Sequence, residues 1–436
     1  MKKLLAAAFA CLLPVVGQNA TAISGSSLDV RSSKLARLVP NLFGTNGLVL
    51  PNPDHDAHFS SAFQANFAPL NTALAARLTS LPIPSPASGF TYTFDPSIGV
   101  YTRSTSSFGP LLAERAETIG KNKFFAGFNF QSFGFRSLDG LALNNVPSVL
   151  EHLQTTPDPN FKKDVITTQN QIDVKISQWT SFFTYGLSRR ADFSVAIPYL
   201  RANMDVFSKA TIQRIGTADQ AGIHYFIDAA GNRTTTATFH AAGQASGIGD
   251  VLVRTKYTVV DRSRVKVALG LEGRMPTGDP YEFLGAGAFG VKPFVALSIA
   301  GQRFSPHFNA GYQYNGKSVL AGDIRTGEAR LLPKQMSYAA GFESGITKNF
   351  TFSADLVAQQ VFSADRVQQK ILVAADNRKF PQVTFVRGNF SAYSLASGVK
   401  VNPVSTLILS FNLLYQVNEA GLRAGIVPLI GLSYSF

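Results

Sequence analysis

The sequence is almost without cysteine, because Cys11 is the only one among 436 residues. It lies within a short apolar run at 4–16, which follows two lysines and precedes three small residues. This order is typical of a secretory signal peptide, so we predict that residues 1–22 are removed on export. A lipid-anchored cysteine would follow the apolar run rather than lie inside it, which argues against lipidation. The exported chain is therefore expected to fold without disulfide bonds.

Long apolar runs and charged residues are also scarce. Beyond the signal, no segment reaches the roughly 18 consecutive apolar residues of a membrane-spanning helix. If the protein enters a membrane, it must therefore do so with strands. Charged residues make up 15% of the chain, and Lys and Arg outnumber Asp and Glu by 40 to 27. A basic excess can indicate nucleic acid as a partner, but export argues against this. The excess instead predicts a basic surface or a cationic interior.

Strand periodicity dominates the sequence from about residue 122. In VKVALGLEGRM at 265–275 the apolar residues hold the odd positions, opposite Lys266, Glu272 and Arg274. Such alternation predicts strands with one apolar face. Twelve strands are predicted, at 122–136, 172–186, 192–206, 248–260, 264–275, 288–300, 305–315, 336–346, 350–360, 390–401, 405–416 and 424–436.

The connections between these strands alternate between short and long. Short links such as DRSR and TKN alternate with long ones at 137–171, 207–247, 276–287, 316–335 and 361–389. Outer-membrane barrels have this pattern, with short periplasmic turns and long extracellular loops. We therefore predict an all-β membrane protein in the cell outer membrane. Its fold is a single antiparallel up-and-down barrel of about 12 strands at 119–436, in contact with lipid.

A different pattern occurs in the segment at 23–118, which precedes the predicted barrel. Apolar residues recur every three or four positions between Ser60 and Leu81 and predict one amphipathic helix, ended by the prolines of LPIPSP. A short β-hairpin or extended chain is predicted after these prolines. The apolar stripe of the helix needs a partner, so we expect this segment in the barrel interior or at its periplasmic rim.

The final strand alternates up to its aromatic end. Ile426, Ile430, Tyr434 and Phe436 share one face, which we expect to contact lipid. Tyr434 and Phe436 resemble the terminal signal that the barrel-assembly machinery recognises. That machinery is therefore an expected partner, together with outer-membrane lipid and a small-molecule solute, whereas nucleic acid is not.

Several stretches resemble the outer-membrane family of the meta-pathway of phenol degradation, whose members are often described as transporters. They are FGPLLAERAETIGKNKFFAGF at 108–128, YGLSRRADFSVAIPYL at 185–200, GIGDVLVRTKYTVV at 247–260 and LEGRMPTGDP at 271–280. The resemblance covers roughly residues 100–436 and implies a channel-type barrel for small hydrophobic or aromatic compounds. Because these motifs lie mostly in turns and at strand starts, they specify the barrel better than its cargo.

Charged residues expected to face the interior are the candidate pore lining. Basic residues outnumber acidic ones by seven to four, which predicts a mildly cationic passage that favours anionic or polarisable solutes. The alternative is a paired network that closes a narrow barrel, and obstruction by residues 60–118 would combine the two. The candidates are Asp173, Lys175, Arg254, Lys256, Lys266, Glu272, Arg274, Lys292, Glu343, Asp355 and Lys400.

Other chemistry is only weakly indicated. The stretch NPDHDAH at 52–58 carries metal-ligand residue types, but no further histidine lies nearby in sequence, so no metal site is assigned. Glu114 and Arg115 could pair inside the barrel, although a solvated periplasmic turn is favoured. No Ser and His stand at a spacing that suggests catalysis, and phosphate-binding or nucleotide-binding motifs are absent. We therefore expect neither an enzyme nor a cofactor.

These patterns favour one function and leave two alternatives open. The favoured function is a channel or facilitator for passive uptake of small solutes, such as aromatic or hydrophobic compounds. The first alternative is a structural or adhesive outer-membrane protein with an obstructed lumen, whose loops make the functional contacts. A phospholipase at the barrel rim is the least favoured.

Overall fold

The structure, a computed structural model, describes most of the chain beyond the predicted signal peptide. The described residues are 34–44, 47–56, 59, 62–80, 92–95, 100–103, 107–152, 163–218, 220–301 and 303–436. The predicted signal at 1–22 and Cys11 lie outside them. None of the helices in these ranges is long and apolar enough to cross a membrane.

The chain forms a closed antiparallel β-barrel of twelve strands, as predicted. Each strand pairs with its neighbours in sequence, and the last strand pairs with the first, so the ring of twelve strands is closed. The strands are β1 Phe124–Phe135, β2 Val165–Gly186, β3 Ala191–Gln213, β4 Val251–Asp261, β5 Val265–Met275, β6 Gly290–Ile299, β7 Phe304–Asn315, β8 Lys334–Thr347, β9 Phe350–Val373, β10 Lys379–Val404, β11 Leu407–Gln416 and β12 Ile426–Ser435.

Side chains alternate between the lipid face and the interior along these strands. In β5 the odd-numbered Leu269 and Leu271 are half exposed, whereas Glu272 and Arg274 on the other face are buried. In β12 the predicted outward face includes Ile430 and Leu432, opposite the buried Val427 and Leu429. The outward face of the strands is apolar and contacts lipid. Closure of the sheet gives every strand a hydrogen-bonding neighbour on both sides, which the backbone needs because lipid offers no hydrogen-bond partners.

Aromatic side chains cluster near both ends of the barrel wall. Towards the long loops, the ring centroids of Phe130 and Trp179 lie 5.3 Å apart, and those of Trp179 and Tyr199 lie 6.1 Å apart. Towards the short turns, the Phe124 ring lies 5.7 Å from that of Phe436. The amide N–H of Phe436 also donates to the carbonyl of Phe124 at 2.8 Å, which extends the closing seam beyond β12. Two aromatic girdles of this kind are typical of outer-membrane barrels.

Several strands are longer than predicted on the loop side. β2 and β3 have 22 and 23 residues, and β9 and β10 have 24 and 26. The predicted loop at 361–389 is therefore mostly a continuous β-hairpin with its turn at 374–378. β4 is preceded by an edge strand, Thr236–Ile248, which pairs with the upper part of β3 above a short break.

Shorter strands and helices decorate the loop end. Two single-turn 3₁₀ helices lie at Leu35–Arg37 and Pro280–Glu282. The additional strands are Ser137–Leu138, Leu141–Ala142, Val146–Glu151, Phe226–Ile227, Arg233–Thr234, Lys317–Asp323, Glu328–Leu331 and Leu422–Arg423. Most of these segments lie in the predicted long loops. The exceptions are Leu35–Arg37, which belongs to the N-terminal segment, and Leu422–Arg423, which belongs to the predicted short final link at 417–423.

The N-terminal segment contains the predicted helix and hairpin and packs inside the barrel. Helix α1 spans Ala62–Leu78, and the strands Tyr92–Asp95 and Val100–Arg103 form a two-stranded antiparallel hairpin. Leu70 and Leu74 of α1 are fully buried in an apolar cluster with inward side chains of the barrel, including Val174 of β2 and Leu429 of β12. The loop-side half of the interior is thus a hydrophobic core, which removes apolar side chains of both partners from water.

Candidate functional site

The segment at 107–119 crosses the barrel interior near the short turns, and charged wall residues bind its backbone. The Lys400 ammonium donates to three consecutive carbonyls, those of residues 108–110, at 3.3, 2.9 and 2.6 Å. One carboxylate oxygen of Asp355 accepts the next three amide N–H groups, those of residues 111–113, at 3.0, 2.7 and 3.0 Å. Each wall residue therefore satisfies backbone groups that would otherwise be buried without partners.

A network of ion pairs continues from this segment into the barrel wall. Glu114 accepts from Lys256 Nζ and from Arg254 Nη1, each at 2.9 Å. Arg254 also donates from Nε to Glu272 at 2.9 Å, and Lys292 reaches the same carboxylate at 2.7 Å. Buried charges that are paired and multiply hydrogen-bonded are stable, but removal of one partner costs about 3–5 kcal/mol.

Arg115 is fully buried in the same region. Its guanidinium lies 2.5 Å from the Glu343 carboxylate, which is also 3.2 Å from His307 Nε2. A solvated turn was favoured for Glu114 and Arg115, and that prediction is wrong for both residues. The interior supplies opposite charges to each of them, which the local sequence around 114 does not reveal.

Nine of the eleven candidate pore-lining residues face the barrel interior. They are Arg254, Lys256, Lys266, Glu272, Arg274, Lys292, Glu343, Asp355 and Lys400. Several of them bind the N-terminal segment where it runs through the lumen. Whether solutes pass along these side chains stays a prediction.

Asp173 and Lys175 are exposed on the outside of β2, so the prediction that they face the interior is wrong. On this strand the even-numbered residues point inwards, and Ile172 and Val174 are buried. The strand's loop-side part carries polar residues outwards and apolar residues inwards, because its interior neighbour is the apolar N-terminal segment. Polarity alone therefore gives the wrong face there.

A cavity of about 220 Å³ lies between the apolar and the charged halves of the interior. Its wall combines apolar side chains such as Leu200, Leu414 and Phe294 with amides and charged groups. The Arg254 guanidinium lies 5.5 Å from the centre of the Phe294 ring. Gly270 makes room for that ring, because a Cβ at this position would lie 2.1 Å from its nearest atom.

Two arginines at this cavity have no carboxylate in an ion pair with them among the described residues. Arg77, from the end of α1, and Arg423, from the loop before β12, both line the cavity. Each has a buried Nε without a hydrogen-bond acceptor. Burial, together with the positive charge of Arg423, lowers the pKa of Arg77 to about 10, so it remains protonated at neutral pH. Two guanidinium groups placed in this way attract an anion.

The sequence analysis did not single out either arginine. Arg77 could have been found, because it follows Leu70 and Leu74 at the spacing of one helix face and is therefore directed towards the barrel interior. Arg423 gives no such signal, since it lies in a loop.

A buried Ser–His pair is also present, although none was predicted. Ser298 of β6 and His307 of β7 are opposite each other in register, and Oγ lies 3.0 Å from Nδ1. Ser298 Oγ also accepts the amide N–H of Ala116 at 2.9 Å and is almost completely buried. The hydroxyl therefore serves as an anchor for the N-terminal segment rather than as a group open to a substrate. The two residues meet because they are opposite each other on the adjacent strands β6 and β7, which their spacing along the sequence does not reveal.

The sequence matches the profile of the family described as "Putative MetA-pathway of phenol degradation" over residues 157–391. The match covers more than half of the chain. The chain belongs to this family. It is an outer-membrane β-barrel protein, as the resemblance in the sequence implied. No curated protein matches the sequence.

Comparison with solved structures matches this chain to outer-membrane barrels at low identity and low TM-score. An outer-membrane channel from Pseudomonas putida F1 has 11% identity and a TM-score of 0.40, with 74% of this chain and 98% of the channel covered. A FadL homologue from Pseudomonas aeruginosa has 10% identity and a TM-score of 0.32, covering 81% and 97%. The toluene transporter TbuX from Ralstonia pickettii has 9% identity and a TM-score of 0.29, covering 82% and 100%.

Proposed function

We propose that this barrel is an outer-membrane channel for passive uptake of small anions with an apolar body, such as monocyclic aromatic carboxylates or phenolates. The observation that carries the proposal is the cavity at which Arg77 and Arg423 converge without a carboxylate of their own among the described residues. A carboxylate or phenolate oxygen would supply the acceptor that the buried Nε of each arginine lacks, beside the carbonyl of Tyr393 that already accepts from Arg423 Nη2.

The size and lining of the cavity support a solute of this class. An engineered cavity of about 150 Å³ holds a benzene molecule. A cavity of about 220 Å³ therefore accommodates one aromatic ring with polar substituents. Leu200, Leu414 and Phe294 offer apolar contacts for the ring, and the arginines offer hydrogen bonds for its charge.

The N-terminal segment makes passage conditional. It fills the loop-side half with an apolar core and crosses the turn-side half at 107–119. Transport therefore requires part of this segment to move. The hydrogen bonds that Lys256 and Lys400 donate to the segment, and those that Asp355 accepts from it, set the free energy of that movement. A permanently immobile segment would instead favour the second candidate, a structural protein with a closed lumen.

Uptake into liposomes tests the proposal. Purified full-length protein in liposomes should admit benzoate and phenolate-type anions faster than neutral sugars of similar size, and planar bilayers should show single-channel steps. Empty liposomes and a heat-denatured sample are the controls. Absence of both uptake and steps would favour the structural alternative.

We also propose that the protein has no hydrolytic activity. The Ser298 hydroxyl is covered by Ala116 and has no access to substrate. Purified barrel should cleave neither phospholipids nor soluble esters, with or without calcium. Cleavage that disappears in the Ser298→Ala variant would contradict this proposal.

A further inference from the structure

Three histidines from separate parts of the chain meet at the loop end of the barrel. His55 belongs to the N-terminal segment, His152 follows the short strand Val146–Glu151, and His224 lies in the loop after β3. One ring nitrogen from each lies within 4.8 Å of the others. We propose that His55, His152 and His224 bind one divalent transition-metal ion of the zinc type. Asp164 acts as a positioning residue, because it orients His224.

The spacing suits a metal after a small adjustment. In a tetrahedral zinc site with Zn–N bonds of about 2.0–2.1 Å, the ligand nitrogens are separated by roughly 3.3 Å. Closure from 4.8 Å requires each ring to move inwards by about 0.8 Å, which a change in side-chain torsion provides. Three imidazoles leave a fourth position for water or another ligand, and nitrogen ligands favour zinc, copper or nickel over magnesium or calcium.

Asp164 fixes the tautomer of His224. Its carboxylate lies 2.7 Å from His224 Nδ1, and both side chains are fully buried. The same carboxylate accepts amide N–H groups from residues 215, 216 and 217 at 2.7, 2.8 and 3.2 Å, and the Thr217 hydroxyl at 2.5 Å.

Because both oxygens of Asp164 accept hydrogen bonds from backbone amides or from Thr217, the carboxylate acts as an acceptor and His224 donates to it from Nδ1. Its other nitrogen, Nε2, then carries a lone pair. Nε2 is buried and has no hydrogen-bond partner among the described residues. A buried acceptor left in this state costs about 1–3 kcal/mol, which a bound cation removes. A carboxylate that orients a histidine whose second nitrogen is left available is the usual support of a metal ligand.

The surrounding contacts hold the three segments together without the metal. Asn52 donates from its side-chain amide to the carbonyl of Ile223 at 2.9 Å, which ties the turn that carries His55 to the loop that carries His224. Phe59 forms an isolated antiparallel bridge with His152, and its ring lies 5.2 Å from the rings of His152 and His224. The ligands are therefore gathered in advance, so a metal would fasten the N-terminal segment to two extracellular loops.

Metal titration of the untagged full-length protein tests the site. Protein stripped with EDTA and dialysed should bind one Zn²⁺ in isothermal titration, and Co²⁺ should give the visible absorption of a four-coordinate ion. H55A, H152A and H224A should each weaken binding by at least tenfold. D164N should weaken it by about 10–100-fold, because it removes the charged positioning group.

His240→Ala is the matched control. His240 is exposed, lies on the same side of the barrel and pairs with Asp205, so H240A should leave affinity unchanged. Folding of each variant is checked by the heat-dependent shift of the barrel on a gel. If H224A does not fold, H55A provides the test of metal binding. His55 lies in a half-buried turn, so its replacement is expected to leave the barrel folded. Absence of saturable binding, or equal affinity in wild type, H55A and H152A, would overturn the proposal.

Discussion

At the scale of single residues, the interior charges act on the chain that fills the barrel. Three wall residues each bind three groups of the segment at 107–119. Lys400 donates to three backbone carbonyls, and Asp355 accepts three amide N–H groups. Lys256 donates to two carbonyls and to the Glu114 carboxylate. The strand alternation predicted that these side chains point inwards. It could not predict their partners, because alternation gives a direction and the partners lie more than a hundred residues away.

Loss of the cavity arginines should reduce anion uptake. Arg77→Gln and Arg423→Gln remove the two cavity guanidinium groups that have no carboxylate in an ion pair with them among the described residues, so benzoate uptake into liposomes should fall several-fold while uptake of a neutral sugar changes little. Arg330→Gln is the matched control, since Arg330 is exposed on the hairpin at 317–331 and distant from the cavity lining. Equal loss of anion and sugar uptake would point to a blocked pathway instead of a lost anion site.

Gly270 should be intolerant of a side chain. A Cβ there would lie 2.1 Å from the Phe294 ring, so Gly270→Ala should destabilise the barrel by about 1–3 kcal/mol. Urea unfolding monitored by tryptophan fluorescence measures the effect. Gly273→Ala on the same strand is the control, because the nearest heavy atom to its Cβ is 4.0 Å away. Equal midpoints for the two variants would show that the ring moves aside without cost.

At the scale of elements, regular patterns were read correctly and extensions were missed. The helix, the N-terminal hairpin and all twelve barrel strands were predicted, because each has a periodicity that a single sequence displays. The loop-side extensions of β9 and β10 were taken for a loop at 361–389. These extensions lie outside the membrane, so the outward face of each strand contacts water instead of lipid. That face needs no apolar side chains, and the alternation of apolar and polar residues along the sequence is therefore weak.

Release of the segment at 107–119 should open the barrel. Lys256→Met combined with Lys400→Met removes five hydrogen bonds to backbone carbonyls and one to Glu114, so ion conductance in planar bilayers should rise several-fold. Lys266→Met is the control, because Lys266 pairs with Asp261 near the short turn and not with this segment. Unchanged conductance in a double variant that still folds would show that other contacts hold the segment.

At the scale of the whole molecule, the barrel and its membrane location followed from the alternation of strands and connections. The contents of the lumen did not follow, because docking of the N-terminal segment depends on contacts between distant residues. Composition offered one clue. Glu114, Glu272 and backbone carbonyls pair with most of the interior cations that the sequence predicted. A count of charged residues therefore overestimates the positive electrostatic potential in the lumen.

A reversible cross-link should show whether the segment moves during transport. Ala116 packs against Ala268 of the wall, and the exported chain is expected to have no cysteine of its own. Oxidation of the A116C/A268C double variant should slow benzoate uptake, and a reductant should restore it. Each single variant should respond to neither reagent. Full uptake in the oxidised, cross-linked protein would place the pathway elsewhere.

The hairpin of β9 and β10 determines what the cell presents to its surroundings. About 9–11 residues suffice for a tilted strand to cross the outer membrane. Strands of 24 and 26 residues therefore leave more than half of their length outside. At the turn, Arg378 donates to Gln213 Oε1 and to the Arg214 carbonyl, each at 3.1 Å, so the hairpin leans over the loop end of the barrel and contacts the end of β3. An antibody or bacteriophage that approaches from the medium would meet this hairpin before the barrel interior, so immune or viral selection would act first on the strand extensions.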